Sequence, residues 1–353
     1  MQKYVVGGAV RDRVLGLQPN DFDYLVVGAT PEEMLTAGYK RVGKDFPVFL
    51  DDRGFEHALA RKEIKTGPKH TDFIFDFGPH VTLAEDVQRR DFTCNALVYD
   101  EQKDEIIDLV GGINDIKNKI LRHVNGEHFG EDPLRILRMC RFAAQLNFEI
   151  APETMALAKQ MVADEMLLHL TKERIWKEFE KALNTQHFNI FINSMQTCGA
   201  LSAILPDINT LTLNFDYPTA TAPLIKFALF TYTQTLNDIE YICKKIRAPN
   251  EYCHFALLVK KYAHSVQTYP DFSPQQKVQF LTDVCQLKSL PVLEKFLNAV
   301  DILSAPDNIR TQCLKDFALI APVKASDIPN FAALPKGPEI SEALFAYRAA
   351  LLS

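Results

Sequence analysis

The hydrophobic pattern of this chain changes period once, near Leu121, and that change restricts the folds open to it. Before it, short apolar runs alternate with short helical stretches. Tyr4 to Val6 reads as a strand ending at Gly7-Gly8, Ala9 to Leu15 as a helix closed by Gly16, and Phe22 to Val27 as a second strand. Thr30 is placed to N-cap a helix with Pro31 at its first position and Gly38 past its end. Phe46 to Leu50, Phe55 to Arg61, Phe73 to Phe77 and a piece at Ile106 and Ile107 read as further strands; Phe73, Phe75 and Phe77 would share a face. After Leu121 helical spacing takes over. Glu131 to Gln145 reads as one helix, and Thr171 can cap another that carries Ile175, Phe179, Ala182 and Leu183. Ser273-Pro274 is a further helix start, and Pro206, Pro249 and Pro291 interrupt the remainder. The expected fold class is α+β: a mixed-sheet head over residues 1–120, a helical neck over 121–185, and a helical body and tail over 186–353.

Net charge is −6, so global charge does not point to a nucleic-acid partner, and any RNA site has to be a local basic patch. Candidates are Lys40, Arg41 and Lys44; Arg61, Lys62 and Lys65; Arg89 and Arg90; and Arg135, Arg138 and Arg141. The seven cysteines are scattered without a CxxC pair, which argues against zinc ligation or a disulfide framework and fits a reducing compartment. Met1 runs straight into an apolar strand rather than a signal peptide, and no apolar run approaches the roughly 20 residues that span a bilayer. The expected location is cytoplasmic.

Chemistry concentrates first at Gly7-Gly8-Ala9-Val10-Arg11-Asp12, with Asp21-Phe22-Asp23 shortly after. Two glycines between a strand and a helix let the backbone approach an anion, and the helix start adds exposed N–H groups. Arg11 supplies a fork of donors for phosphate oxygens. Asp21 and Asp23 are two apart at a strand start and so point to one face, an arrangement suited to Mg²⁺ shared with substrate phosphates. Neither the GxxxxGK[ST] loop nor the GxGxxG turn is present.

These residues resemble the opening motif, GGxVRD…DxD, of the class II tRNA nucleotidyltransferase and poly(A) polymerase family, within the polymerase-β-like superfamily. The resemblance implies a polymerase-β-like head, Mg²⁺ at Asp21 and Asp23 as the catalytic pair, and a triphosphate held by Gly8 and Arg11. It continues at Glu85 to Ala96, which is similar to the family's RRDxxxNA motif and implies recognition of the ribose 2′-hydroxyl by Arg90 and Asp91. DLVGGINDI, Asp108 onward, resembles the hinge between head and neck, with Leu109 and Val110 a mild departure. Glu131-Asp132-Pro133-Leu134-Arg135, extended by Arg138, Arg141 and Phe142, resembles the nucleobase-reading EDxxR helix, and Arg138 and Arg141 would approach the nucleotide too. Thr171 to Ile175 resembles the fifth motif, a helix start that braces the neck. Specific motifs cover roughly residues 1–185.

The residue types of the fourth motif follow from donor and acceptor patterns. On one helix, Asp132 and Arg135 would lie on adjacent turns of one face. A carboxylate accepts from an exocyclic amino group and a guanidinium donates to a ring nitrogen or carbonyl. Cytosine and adenine present an amino group beside an acceptor nitrogen, whereas guanine and uracil present a carbonyl beside an N–H. One Asp–Arg pair therefore accepts C and A and opposes G and U.

Three readings follow from the resemblance. The leading one is addition and repair of the 3′-terminal CCA of tRNA from CTP and ATP, gripping the acceptor end. The alternatives are the related poly(A) polymerase and a catalytically silent RNA-binding protein. Arg41 to Leu50 looks like the CCA-adding version of that strand, and the apolar segment Ala343 to Ser353 lacks the basic tail of the polymerases. Asp21, Asp23, Arg90, Asp132 and Arg135 together argue against silence. No histidine precedes an aspartate, so the family's His-Asp phosphohydrolase chemistry is not expected.

Overall fold

A computed structural model describes residues 1–19, 21–42, 48–65, 73–206, 208, 218, 220–303, 307–331 and 337–353. The chain forms two compact units, Met1–Pro206 and Asp207–Ser353.

The first unit begins with β1 (Gln2–Val6), α1 (Gly8–Val14), β2 (Asp23–Val27), α2 (Pro31–Thr36), β3 (Lys40–Val42), β4 (Val48–Leu50), β5 (Glu56–Leu59), β6 (Arg61–Lys65) and β7 (Phe73–Phe77). It continues through α3 (Leu83–Gln88), a 3₁₀ turn Thr93–Asn95, β8 (Val98–Asp100), β9 (Glu105–Ile107) and α4 (Gly112–Lys117). Among the described residues seven strands form one sheet in the order β3-β4-β5-β2-β1-β8-β9, and β6 pairs with β7 separately. The sheet is mixed: β2 and β5 run parallel, and the other pairs are antiparallel. Both faces of β2 are covered, because its residues alternate. Leu25 packs with Tyr4, Val6, Ala96 and Val98, whereas Val26 packs with Ala29, Met34, Phe49 and Leu59 on the other side. Thr30 caps α2 as expected, in a capping box with Glu33. Of the expected strand at Phe46 to Leu50, the first two residues lie outside the described set, as do the side chains of Phe73 and Phe75.

Helices follow: α5 (Gly126–Glu131), α6 (Leu134–Leu146), α7 (Pro152–Ala163), α8 (Lys172–Leu183), α9 (Phe188–Thr197) and α10 (Ala200–Ile204). Strand structure does not stop at Leu121 as the pattern suggested. The two-residue strands β10 (Ile120–Leu121) and β11 (Glu149–Ile150) pair in parallel, because Asn147, left-handed at φ 53°, turns the chain back after α6. A larger correction concerns the helix expected over Glu131 to Gln145. It starts at Leu134, and Asp132 is extended (φ −118°, ψ 109°). The residue before a proline is disfavoured in the helical region, so Pro133 separates α5 from α6. In the second unit, described helices run from α11 (Pro223–Thr231) to α17 (Pro338–Ala350). Ser273 caps its helix in a box with Gln276 as the sequence indicated, and Phe227, Phe230, Tyr269, Phe280 and Phe296 lie in its interior.

The hinge-like segment explains its own glycines. The Asp108 carboxylate accepts from the backbone N–H groups of Val110, Gly112 and Ile113 at 3.2, 2.9 and 2.9 Å, which satisfies the start of α4. A Cβ on Gly112 would sit 2.2 Å from the Thr93 carbonyl oxygen, a backbone atom that cannot swing aside. Gly112→Ala is therefore expected to destabilise the first unit by about 2 kcal/mol, measured by urea unfolding. A loss below about 0.5 kcal/mol would mean that the start of α4 shifts to absorb the methyl group.

Candidate active site

The register of the central strands assembles the first part of the site. Val6 lies opposite Asp23 across β1 and β2, and Val6 runs directly into Gly7-Gly8. Asp23 is thereby held beside the turn into α1. Gly7 takes φ +76°, a conformation L side chains rarely adopt, which accounts for a glycine there. The strand starts at Asp23 itself, so Asp21 precedes β2 rather than opening it. Both carboxylates are exposed, and among the described residues neither is engaged in a hydrogen bond or ion pair. On the other side of β2, Glu56 of β5 is the register partner of Asp23 and is also exposed.

Arg11 is buried and its fork is occupied within the protein. Nη1 donates to Asn95 Oδ1 at 2.6 Å, and Nε and Nη2 donate to Asp12 Oδ1 at 2.9 and 2.8 Å. The Asn95 contact ties α1 to the 3₁₀ turn of the RRDxxxNA segment.

That segment is organised by a residue the motif comparison left without a role. Asp86 is 0% exposed. Its Oδ1 accepts from Arg89 Nε and Nη2 at 2.9 and 2.5 Å, and its Oδ2 from Arg90 Nε and Nη2 at 3.2 and 3.0 Å. Burial works to raise the Asp86 carboxyl, but the two guanidinium groups hold it below its ordinary value. The signal was in the sequence, since an Asp three and four places before two arginines faces both on a helix. Asp91 is 9% exposed, and its Oδ1 accepts from Phe92 N at 2.8 Å and Asn95 Nδ2 at 3.4 Å. Its Oδ2 takes Arg138 Nε at 2.9 Å and also Arg138 Nη2. Burial again pushes the carboxyl up and is overcome, chiefly by the Arg138 charge, so Asp91 stays below its ordinary value.

Asp132 and Arg135 do not stand on adjacent turns of one helix, because Asp132 is extended and precedes α6. Asp132 Oδ1 accepts from the N–H of Leu134, the first residue of α6, at 3.0 Å, and its charged partner is Arg174 of α8. Arg135 Nη2 donates to the Arg89 carbonyl at 2.7 Å. The cause is the Pro133 break, which takes Asp132 off the helix. Arg141 is buried and donates to Glu178 Oε2 at 2.5 Å and Gln145 Oε1 at 2.7 Å; burial is the main influence drawing its guanidinium below the ordinary value. The Phe142 ring carries Arg141, Arg138 and Arg11 around it, at 3.8, 5.3 and 5.7 Å from its centroid.

All ten residues singled out in the sequence line one cavity of about 1510 Å³: Gly8, Arg11, Asp21, Asp23, Arg90, Asp91, Asp132, Arg135, Arg138 and Arg141. Arg61, Arg89, Arg174 and Lys181 join them. The lining holds nine cationic side chains and six carboxylates, so this acidic chain keeps a net-positive cavity. Of the other basic clusters, Lys62 pairs with Glu85 at 2.7 Å, Lys40 and Arg41 are exposed on β3, and Lys44 lies outside the described residues.

Comparison with known proteins gives two family matches. Residues 3–122 match the "Poly A polymerase head domain", and residues 147–211 match the "Probable RNA and SrmB- binding site of polymerase A". Among solved structures, the Bacillus stearothermophilus CCA-adding enzyme in complex with CTP is 25% identical, with a TM-score of 0.74 over 99% of this chain and 88% of that one. A CCA-adding enzyme in complex with ATP is 20% identical, with a TM-score of 0.72 over 99% and 86%. An apo form of a CCA-adding enzyme is 22% identical, with a TM-score of 0.71 over 98% and 88%. No helix among the described residues is long and apolar enough to cross a membrane.

Proposed function

Because the chain belongs to the class II nucleotidyltransferase family, the family of CCA-adding enzymes and poly(A) polymerases, we propose that it adds and repairs the 3′-terminal CCA of tRNA from CTP and ATP. The observation that carries this reading is the gathering of the carboxylates, the Gly-Gly turn, the ribose-reading segment and the base-reading segment in one net-positive cavity. In the reaction the tRNA 3′-hydroxyl oxygen bonds to the α-phosphorus, the bond to the β-phosphate bridge breaks, and pyrophosphate leaves.

Asp21 and Asp23 suit Mg²⁺, since they are hard oxygen donors, exposed, unpaired among the described residues and side by side at the cavity. Two Mg²⁺ bound there would activate the attacking hydroxyl and neutralise charge on the triphosphate. The protein's own part is positioning. The Gly7-Gly8 turn gives phosphates close backbone approach. Arg11, fixed by Asn95 and Asp12, holds α1 against the 3₁₀ turn and so sets the position of the Gly7-Gly8 turn. Asp132 and Arg135 read the base. The head, neck and body boundaries at 120 and 185 belong to the same proposal, with the helical body gripping the tRNA acceptor end by shape.

The test is direct. The protein and Mg²⁺ are incubated with tRNA lacking its 3′ end and each single NTP, and the products are sequenced. CTP and ATP incorporation restricted to the CCA positions supports the reading. Long A tails on any RNA would make it a poly(A) polymerase, and no incorporation would make it a silent RNA binder.

The ribose-reading role of Arg90 and Asp91 is checked separately. Asp91→Asn removes the charge at nearly constant shape and is expected to lower the CTP-to-dCTP incorporation ratio about tenfold. An unchanged ratio with a lower melting temperature would leave Asp91 as an anchor for Arg138 alone. Arg138 is about a third exposed, so breaking that pair costs less than the roughly 3–5 kcal/mol of a fully buried one.

A further inference from the structure

Asp132 stands on an extended link between two helices, so its backbone is set by Pro133 but its side chain needs its own restraint. Oδ1 accepts from Leu134 N at 3.0 Å. The other restraint comes from across the neck: Arg174 Nη2 reaches Oδ1 at 3.2 Å and Oδ2 at 2.9 Å. Arg174 is itself fixed by the first turn of α8. Thr171 accepts from the Arg174 backbone N–H, and Ile175 and Trp176 are buried immediately after it. Both Asp132 and Arg174 line the cavity, and Arg135 turns away to the Arg89 carbonyl.

We propose that Arg174 is a positioning residue for base selection, holding the Asp132 carboxylate so that Oδ2 faces an incoming base. This rests on the base-reading role proposed for Asp132. A carboxylate offers about four lone-pair sites. Oδ1 already takes two donors, whereas Oδ2 takes one, so the oxygen with capacity for an exocyclic amino group is Oδ2. A base that presents a carbonyl instead meets a carboxylate oxygen that is unable to rotate away. Rejection of U and G then depends on rigidity as much as on charge. Without Arg174 the hydrogen bond from Leu134 N to Oδ1 remains, but Oδ2 is free to swing.

The geometry also predicts how the site responds to substitution. One nitrogen, Nη2, contacts both oxygens, so an ammonium placed there can replace it in part. Arg174→Ala is expected to lower the kcat/KM ratios of CTP over UTP and of ATP over GTP about tenfold, and Arg174→Lys to restore most of that loss. In an Asp132→Ala background, Arg174→Ala is expected to change these ratios no further, since the group it positions is gone. Thermal melting accompanies each variant; if Arg174→Ala does not fold, the cycle is run with Arg174→Gln. Unchanged ratios in Arg174→Ala, or an equal loss in the Asp132→Ala background, overturn the inference while leaving the base-reading proposal standing. A wild-type protein that does not select C and A over U and G overturns both, and that arm is read first.

Discussion

Asp21→Ala and Asp23→Ala are each expected to lower nucleotide incorporation by at least about 10³-fold, for C and for A alike, with tRNA binding largely retained. Both carboxylates are exposed at the cavity and engaged with nothing else among the described residues, so their loss would remove the proposed metal ligation without breaking a structural contact. Asp23 is locked opposite Val6 and so beside the Gly7-Gly8 turn. Its position is therefore independent of substrate. Folding should be unaffected, which a melting curve checks. Turnover by either Asp variant within about tenfold of wild type would remove that residue from the metal role.

The parts legible in the sequence were those carried by local pattern. The Thr30 cap, the helix start at Ser273-Pro274 and the β1–Gly-Gly–α1 unit follow from short-range rules, and each is present. The spacing from Glu131 onward predicts a helix, but α6 starts three residues later, at Leu134, because the constraint that Pro133 places on its predecessor outweighs that spacing. Long-range pairings had no sequence signal. Arg174 is 42 residues from Asp132, and Glu178 is 37 from Arg141, so only tertiary packing brings them together. Asp86 is the intermediate case. Its spacing to Arg89 and Arg90 was readable, but its burial, which turns a surface ion pair into an anchor, was not.

The Asp132–Arg135 pair is expected to fail in two distinguishable ways when each half is removed, because each half has its own anchor. Asp132→Ala takes away the acceptor that opposes the carbonyl of U and G, so selection against UTP and GTP should weaken by about 3 kcal/mol, on the order of 150-fold. Arg135→Ala takes away the donor to the ring acceptor and should reduce CTP and ATP use together. Since Arg135 is tied to the Arg89 carbonyl and not to Asp132, Asp132→Ala leaves the Arg135 fork in place. The measurement is single-nucleotide incorporation from all four NTPs onto tRNAs lacking the last one, two or three nucleotides. If C addition collapses while A addition and rejection of U and G survive, adenine is read elsewhere and a single template for both bases is wrong. A change of only a few tenths of a kcal/mol would return Asp132 to an ordinary surface pair with Arg174, since side chains about 30% exposed are worth little more than that when solvent screens them.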